Sequence, residues 1–115
     1  MELGLYRKKA IVTGGSHGIG LSTAIALAKE GCDVAIFGRT QSRLLDAKVK
    51  IEKHGVECLC FQADVLDDAA IDRCLEELSD LWISIDILVN NVGGGGRWGL
   101  EDIEKTDDNV WEEVY

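Results

Sequence analysis

Short apolar runs alternate along this chain with longer segments in which apolar and polar residues are mixed. Glycine or polar residues bound each run, which is typical of buried β-strands. The runs start at positions 9, 33, 57 and 85, and each interval has room for one helix. The pattern predicts four strands, over residues 9–13, 33–37, 57–62 and 85–90.

Glycines and capping residues mark the ends of the first two intervening helices. The first helix is predicted over residues 19–30, with Gly31 as its stop. Thr40 can cap a second helix that runs to about His54, and Gly55 follows as its stop. Each predicted helix therefore connects one strand to the next.

The third helix has the clearest pattern, because its apolar residues recur at the three- and four-residue spacing of one helix face. Asp67 caps it. The apolar positions are Ile71, Cys74, Leu75, Leu78 and either Leu81 or Trp82. After the fourth strand come a glycine loop over residues 93–99 and a last helix, which begins near Thr106 and is still running at Tyr115.

The strands are apolar on both faces, as a parallel sheet covered by helices on both sides requires. Strand and helix alternate throughout, and the chain has no proline and no low-complexity linker. The sequence therefore predicts an α/β fold in one domain over residues 1–115. The expected architecture is a Rossmann-like, doubly wound parallel sheet with right-handed crossovers.

Composition and charge narrow the class of protein. A length of 115 residues with 46% apolar residues suits one globular domain. A net charge of −9 disfavours nucleic-acid backbones and anionic membranes. No apolar run approaches the roughly 18 residues of a membrane span, and residues 1–9 lead into a strand without a signal-peptide pattern. We expect a cytoplasmic protein that binds neither nucleic acid nor membrane.

The four cysteines do not have the spacing of a metal site. Cys58 and Cys60 lie two apart in a predicted strand and share a face. A zinc site would need paired cysteines with histidine or cysteine partners, and neither His17 nor His54 has ligand spacing. We therefore predict no metal and interpret the cysteines as reduced core thiols.

Three glycines crowd the turn from the first strand into the first helix. Gly14, Gly18 and Gly20 permit positive φ and close approach, and a helix N-terminus offers free N–H groups to a pyrophosphate. Ser16 can add a hydroxyl donor, and Gly20 lets the helix pack tightly on the sheet. The alternative is a tight turn without a ligand, but the strand before and the helix after favour a nucleotide site.

The stretch TGGSHGIG resembles the glycine motif T-G-x-x-x-G-x-G of the short-chain dehydrogenase/reductase family. ADV at residues 63–65 and NNVG at 90–93 also match the family, with Val92 in place of its alanine, and W-x-x-V fits at 111–114. The resemblance begins near residue 6 and is closest to 3-oxoacyl-acyl-carrier-protein reductase-like members. It implies hydride transfer between a nicotinamide cofactor and a small carbonyl or alcohol substrate, acyl-type substrates included.

The resemblance also implies the residues of a cofactor site. It places Asp64 against the adenine ring and Asn91 with the Gly93 backbone on the ribose side, while Asn90 ties neighbouring strands. Alternatively, Asp64 caps a turn and the two asparagines satisfy backbone groups at a strand end. The expected cofactor-binding residues are Gly14, Ser16, His17, Gly18, Ile19, Gly20, Arg39, Thr40, Asp64, Val65, Asn90, Asn91 and Gly93.

The end of the second strand favours NADP(H) over NAD(H). NAD-binding units usually carry an acid about 20 residues past the glycines, where this chain has Gly38 followed by Arg39. A guanidinium can pair with a 2′-phosphate, which a carboxylate would repel. His17 falls where NADP-using family members often carry a basic residue. The alternative is that Arg39 is a solvated surface charge.

No catalytic residue can be assigned in this chain. The family uses a serine and a Tyr-x-x-x-Lys pair, which we expect beyond Tyr115, and Tyr6 precedes the first strand. In the loop, Arg97 and Trp98 either contact substrate or belong to a connector without a recognition role.

The chain ends within a predicted helix, so we expect only the first half of the doubly wound sheet, about four strands. The full-length form is expected to be a homodimer or homotetramer. Two alternatives to an enzyme stay open: a non-catalytic dinucleotide-binding module and an inactive truncated remnant.

Overall fold

Four parallel strands and three helices alternate in the computed structural model, which describes residues 4–91. This confirms the predicted α/β class. The elements in chain order are β1 (Lys9–Thr13), α1 (Gly18–Lys29), β2 (Asp33–Gly38), α2 (Gln41–Glu52), β3 (Cys58–Gln62), α3 (Asp68–Leu81) and β4 (Ile87–Val89).

The strands form one sheet in the order β3-β2-β1-β4. On one side β1 pairs with β2, from Lys9 opposite Asp33 to Thr13 opposite Phe37. On its other side β1 pairs with β4, where Ile11 lies opposite Leu88. The chain therefore moves outward from β1 to β3 and then returns to the far side of β1. This reversal creates a crevice outside the carboxyl ends of β1 and β4, where open α/β sheets bind ligands.

Alternate residues of the central strands are buried in two separate cores, one on each face of the sheet. Val12 and Ile36 lie in the core shared with α1 and α2. Ile11 and Phe37 lie in the core covered by α3, where the Phe37 and Phe61 rings stack with centroids 5.0 Å apart. Burial on both faces is the reason for the nearly continuous apolar runs of the strands.

The predicted helix stops are in place. Gly31 follows α1 with φ of 92°, and Gly55 follows α2 with φ of 80°, a conformation that suits glycine. Asp67 caps α3, since its side chain accepts the N–H of Ala70 at 3.1 Å. Thr40 occupies the N-cap position of α2, but its side chain makes no cap hydrogen bond. The prediction for Thr40 is therefore right in position and wrong in its capping bond.

The fourth strand is shorter than predicted, covering Ile87–Val89 rather than residues 85–90. Ile85 is buried but precedes the strand, and Asp86 donates its N–H to the Lys9 carbonyl at 2.8 Å. At the end of α3, Trp82 rather than Leu81 completes the apolar face, because Leu81 is 58% exposed and Trp82 5%.

Polar side chains join the amino ends of the strands. The Lys9 N–H donates to the Asp86 carboxylate at 2.8 Å, and Asp33 pairs with the Lys9 ammonium and accepts the Glu57 N–H. Burial alone would raise the pKa of Asp33. The bonds from the Lys9 ammonium and the Glu57 N–H outweigh burial and hold the pKa of Asp33 below its ordinary value. A lowered folded-state pKa means that this stabilisation is present at neutral pH and is lost as pH falls through that pKa.

The four cysteines are free, and only Cys32 and Cys58 are fully buried. Cys60 and Cys74 are half-buried. The interpretation as core thiols therefore applies fully to Cys32 and Cys58 and only in part to Cys60 and Cys74. Between residues 4 and 91, no helix combines the length and apolar character needed to cross a lipid bilayer. The predicted glycine loop and last helix lie outside the described residues.

Two leucines of α3 provide a test of this packing. Leu78 has no exposed surface, whereas Leu81 is 58% exposed. We expect Leu78→Ala to lower the free energy of unfolding by about 2–4 kcal/mol, because a buried leucine leaves a cavity. Leu81→Ala, the matched control, should change it by less than about 0.5 kcal/mol. Urea denaturation measures both, and equal effects would contradict the assignment of α3's buried face.

Candidate nucleotide-binding site

A cleft of about 460 Å³ opens at the carboxyl ends of the strands. The loops that follow β1, β2, β3 and β4 all contribute to it, as the sheet order requires. The lining residues are Gly14, Ser16, His17, Phe37, Gly38, Arg39, Thr40, Arg43, Ala63, Asp64, Val65, Leu66 and Asn91.

The cleft brings together eight of the predicted site residues. These are Gly14, Ser16, His17, Arg39, Thr40, Asp64, Val65 and Asn91. Gly18, Ile19 and Gly20, in the first turn of α1, and Asn90, directly after β4, lie next to these residues in the chain but are not among the lining residues. Gly93 lies outside the described residues, as do Arg97 and Trp98.

The glycine turn is tight for reasons that differ between its members. Gly14 and Gly18 have φ of 65° and 59°, so a side chain at either would strain the backbone. A Cβ at Gly20 would lie 1.9 Å from the Gly14 carbonyl oxygen, and one at Gly15 would lie 2.6 Å from Ile36 Cγ2. The close contact at Gly20 is therefore with the Gly14 turn at the end of β1, which is a narrower contact than the predicted packing of the helix on the sheet. The need for glycine at Gly15 was missed, because it arises from a contact with β2.

Two helix N-termini at the cleft keep their backbone donors free of side-chain caps. His17 precedes α1 and Thr40 precedes α2, and neither makes a cap hydrogen bond. In α3, by contrast, Asp67 fills this role. Uncapped N-termini present N–H groups and the positive end of the helix dipole, which together favour an anion such as a phosphate.

The hydroxyl of Thr13 joins the ends of β1 and β4. Thr13 is fully buried, and its Oγ1 accepts the Asn91 N–H at 2.9 Å. The same hydroxyl donates toward Asn90 Oδ1 at 3.2 Å, with the Val89 carbonyl at 3.5 Å. Asn90 thus takes part in the link between neighbouring strands that the sequence suggested. Thr13 itself was not predicted, although a hydroxyl residue between an apolar strand and a glycine turn was the available signal.

The Asn91 side chain lies against the glycine turn. Its Nδ2 atom is 2.8 Å from the position that a Cβ on Gly20 would occupy, and 3.7 Å from the corresponding position on Gly14. The side chain therefore borders both the turn and the cleft, and bulk at Gly20 would displace it.

Asp64 has the turn-forming role that the sequence left open, and it also borders the cleft. Its Oδ1 accepts the Leu66 N–H at 2.9 Å, and its carbonyl accepts the Asp67 N–H at 2.9 Å. Asp64 and Leu66 are exposed, while Ala63 is buried. The loop after β3 therefore presents one carboxylate and apolar surface to the cleft.

Positive charge is concentrated where β2 ends. Arg39 and Arg43 both line the cleft and are exposed, and His17 lies on the same lining. The carbonyl of Arg39 accepts a bond from Gln62 Nε2 at 3.1 Å, which holds the backbone there. Arg43 was not predicted, although its place in the first turn of α2, four residues after Arg39, was the signal for it.

Gly38 has little room for any side chain. A Cβ there would lie 3.1 Å from Ser16 Oγ and 3.3 Å from Leu44 Cδ2. Ser16 is buried, and its hydroxyl lies 3.4 Å from His17 Nδ1. Gly38, at the place where NAD-binding units usually carry an acid, is therefore closely surrounded by neighbouring side chains.

These features fit a dinucleotide better than other ligands. Uncapped helix N-termini and a glycine turn suit a pyrophosphate, two guanidinium groups suit a further phosphate, and the β3 loop offers apolar surface for a base. Within residues 4–91, no three histidine, cysteine, aspartate or glutamate side chains are grouped to hold a metal ion. The absence of a metal in the protein stays a prediction.

The fold and the cleft define a dinucleotide-binding α/β unit. The family model described as short chain dehydrogenase matches residues 8–115, and the chain belongs to that family.

The curated relatives include a sorbitol dehydrogenase of Cereibacter sphaeroides, 44% identical over 84 residues, which cover 73% of this chain and 32% of that protein. The short-chain dehydrogenase/reductase homolog YusS of Bacillus subtilis is 31% identical over 109 residues, which cover 94% of this chain and all of YusS. Two further relatives, both uncharacterized oxidoreductases of Bacillus subtilis, are matched by this chain over only 30% and 31% of their own length.

Solved structures share the fold. L-sorbose reductase from Gluconobacter frateurii, in complex with NADPH and L-sorbose, superposes with a TM-score of 0.77 at 34% identity, covering 95% of this chain and 41% of that one. An NAD⁺-bound xylitol dehydrogenase superposes with a TM-score of 0.75 at 28% identity, covering 88% and 41%. The chain thus spans well under two thirds of these two proteins, 41% of each.

The Thr13 hydroxyl can be tested through the amide that it holds. In Thr13→Val the Asn91 N–H loses its acceptor, so we expect faster hydrogen exchange at that amide and a loss of about 1–3 kcal/mol in unfolding free energy. Thr13→Ser keeps the hydroxyl and should keep the Asn91 amide protected. NMR-detected exchange measures both, and equal protection in the two variants would contradict the link.

Proposed function

We propose that this chain is the cofactor-binding part of an NADP(H)-dependent oxidoreductase that interconverts a small carbonyl compound and its alcohol. The observation that carries the proposal is the cleft, where a glycine turn, two uncapped helix N-termini and two arginines converge. Membership of the short-chain dehydrogenase family supports the reaction type. The sorbitol and sorbose named for two similar proteins support a small polyhydroxy substrate for this one.

Each part of the cleft has a proposed share in holding the dinucleotide. Gly14, Ser16, Gly18, Ile19 and Gly20 form the turn and helix N-terminus that would hold the pyrophosphate. The other proposed contacts are Arg39, Thr40, Arg43 and His17 for a 2′-phosphate, Asp64 and Val65 for the adenine, and Asn91 and Gly93 for the nicotinamide ribose, with Asn90 supporting Asn91 from the link to Thr13. When bound, the cofactor supplies the hydride, and these residues orient it.

The preference for NADP(H) depends on charge at the end of β2. Arg39 and Arg43 border the cleft, and Gly38 stands where an NAD-type acid would otherwise be expected. A phosphate monoester gains charge-assisted hydrogen bonds from guanidinium groups, whereas a ribose hydroxyl gains much less. Similar structures occur with NADPH and with NAD⁺, so the proposed preference rests on these residues and not on the family.

The first test compares the two cofactors in an arginine variant. We expect Arg39→Ala to weaken NADPH binding about tenfold or more, since one charge-assisted contact is lost, and to change NADH binding less than about twofold. Lys50→Ala, an exposed cation of α2 outside the cleft, is the matched control. Calorimetric titration measures the affinities, and a parallel loss for both cofactors would refute the preference.

A second pair of variants separates charge from bulk at Gly38. Because a Cβ there already crowds Ser16, Gly38→Ala reports the effect of bulk alone. Gly38→Asp should lower NADPH affinity relative to NADH further than Gly38→Ala does.

Catalytic residues are proposed to lie in the portion of the relatives that this chain does not span. The family resemblance implies a serine and a Tyr-x-x-x-Lys pair, and none of the described residues is assigned to these roles. A cytoplasmic location and a homodimeric or homotetrameric full-length form stay predictions of the same proposal.

A second candidate function is cofactor binding without turnover. It is favoured by YusS, a family member whose whole length aligns with this chain. Under either function the 115-residue chain is expected to bind NADPH without oxidising it. The two functions are separated by NADPH oxidation, followed by absorbance with ketoses and aldehydes, in the protein isolated from its natural source: turnover there supports the enzyme, and binding without turnover supports the second candidate. Turnover that survives purification would place catalytic residues within the chain, and failure to bind would favour an inactive remnant.

A further inference from the structure

Cys58 and Cys60 bring two thiols together on the face of β3 that α2 covers. They are alternate residues of one strand, so their side chains point to the same side of the sheet. Cys58 is fully buried, Cys60 is half-buried, and both belong to the core shared with α2. Residues two apart in a strand have adjacent side chains on one face, so the two sulfur atoms are neighbours.

The pair lies in a strand at the end of the described sheet. Among the described strands, β3 stands at the end of the sheet and pairs with β2 alone. Strands at the edge of a sheet open locally at lower cost than central ones. Cys74, although also half-buried, lies in the core on the opposite face and has no second cysteine beside it in that core.

The surroundings give the outer thiol more thiolate character than the inner one. The neighbouring Cys58 thiol lowers the pKa of Cys60, and the Lys48 ammonium acts in the same direction against the effects of burial and of the Glu52 carboxylate. The neighbouring Cys60 thiol, burial and Glu52 raise the pKa of Cys58. The half-exposed sulfur is therefore the better nucleophile, and the buried one stands ready to supply a second bond.

We propose that Cys58 and Cys60 form a dithiol site for a thiophilic electrophile that takes two sulfur ligands, with trivalent arsenic compounds as the class of ligand. An organoarsenic oxide condenses with both thiols: two As–S bonds form, the As–O bond breaks, and the two thiol protons leave with the oxygen as water. Nothing is oxidised or reduced. Three-sulfur and four-ligand metals are disfavoured, because the described residues group no third ligand here.

Occupancy of this site reaches the cofactor cleft through the first turn of α2. The Cys60 thiol donates to the Leu44 carbonyl at 3.5 Å, and Leu44 is fully buried. Its neighbour Arg43 lines the cleft, and Leu44 Cδ2 lies 3.3 Å from where a Cβ on Gly38 would be. An arsenic atom between the sulfurs removes this donor and needs space beneath α2. Capture is therefore expected to displace Arg43 and to weaken NADPH binding, an effect that depends on the proposed function.

The experiment treats the native chain with phenylarsine oxide and measures its intact mass. We expect a single phenylarsenic adduct that resists excess monothiol and is removed by dithiothreitol. Cys60→Ser and Cys58→Ser should each abolish the retained adduct, while Cys74→Ser, the matched control, should keep it. Circular dichroism checks that each variant is folded. Should Cys58→Ser fail to fold, Cys60→Ser and peptide mapping of the native adduct decide the question.

Absence of a retained adduct on the native chain, or retention in Cys60→Ser, would overturn the dithiol site. The coupling is tested by NADPH titration of the loaded chain, with binding expected to weaken by roughly fivefold or more, the lower end of typical coupling between sites. Unchanged affinity would overturn the coupling. If the untreated chain does not bind NADPH, the proposed function and the coupling both fail, whereas the adduct mass still decides the dithiol site.

Discussion

The structure depends on a contact between two glycines. The Gly14 carbonyl oxygen would lie 1.9 Å from a Cβ at Gly20, so α1 can begin at this place only if residue 20 has no side chain. This contact holds the first turn of α1 against the turn that follows β1. It also brings the uncapped N-terminus of α1 to the point where the sheet order reverses. The position of the α1 N-terminus at the cleft therefore follows from backbone packing.

The amino ends of the strands have their polar groups satisfied internally, whereas at the carboxyl ends α1 and α2 begin without side-chain caps, although Asp67 caps α3 and Thr13 joins β1 to the segment after β4. At the amino ends the chain satisfies them internally, with Asp33 and Asp86 accepting bonds from neighbouring strands and Trp82 Nε1 donating to Glu57 at 3.0 Å. At the carboxyl ends, the first turns of α1 and α2 have no side-chain caps. Because unsatisfied backbone donors are costly when buried, such groups are kept where water or a ligand can reach them. The uncapped first turns of α1 and α2 are therefore the places among these strand ends where backbone donors stay open to water or a ligand.

Much of this arrangement can be predicted from the sequence, because it depends on local chemistry. The boundaries of β1, the positive φ of Gly31 and Gly55 and the Asp67 cap each follow from residues within a few positions of the feature. The fold class follows from the alternation of these elements.

The missed features come from contacts between elements distant in the chain. The Thr13 bond to Asn91 spans 78 positions, and the crowding of Gly15 by Ile36 depends on strand order. The choice of Trp82 over Leu81 depends on where α3 ends against the sheet. Periodicity cannot settle such points, because it describes the face of one element and not its neighbours.

The packing around Gly38 restricts the routes by which cofactor preference can change during evolution. An acid at this position needs space that Ser16 and Leu44 already occupy. Ser16 belongs to the glycine turn and Leu44 to the buried core, so neither can shrink without consequences of its own. A change toward NAD(H) through an acid at residue 38 would therefore require Ser16 or Leu44 to shift by a few tenths of an ångström. The ease of that shift, as well as charge, would then decide which cofactors descendants of this sequence can adopt.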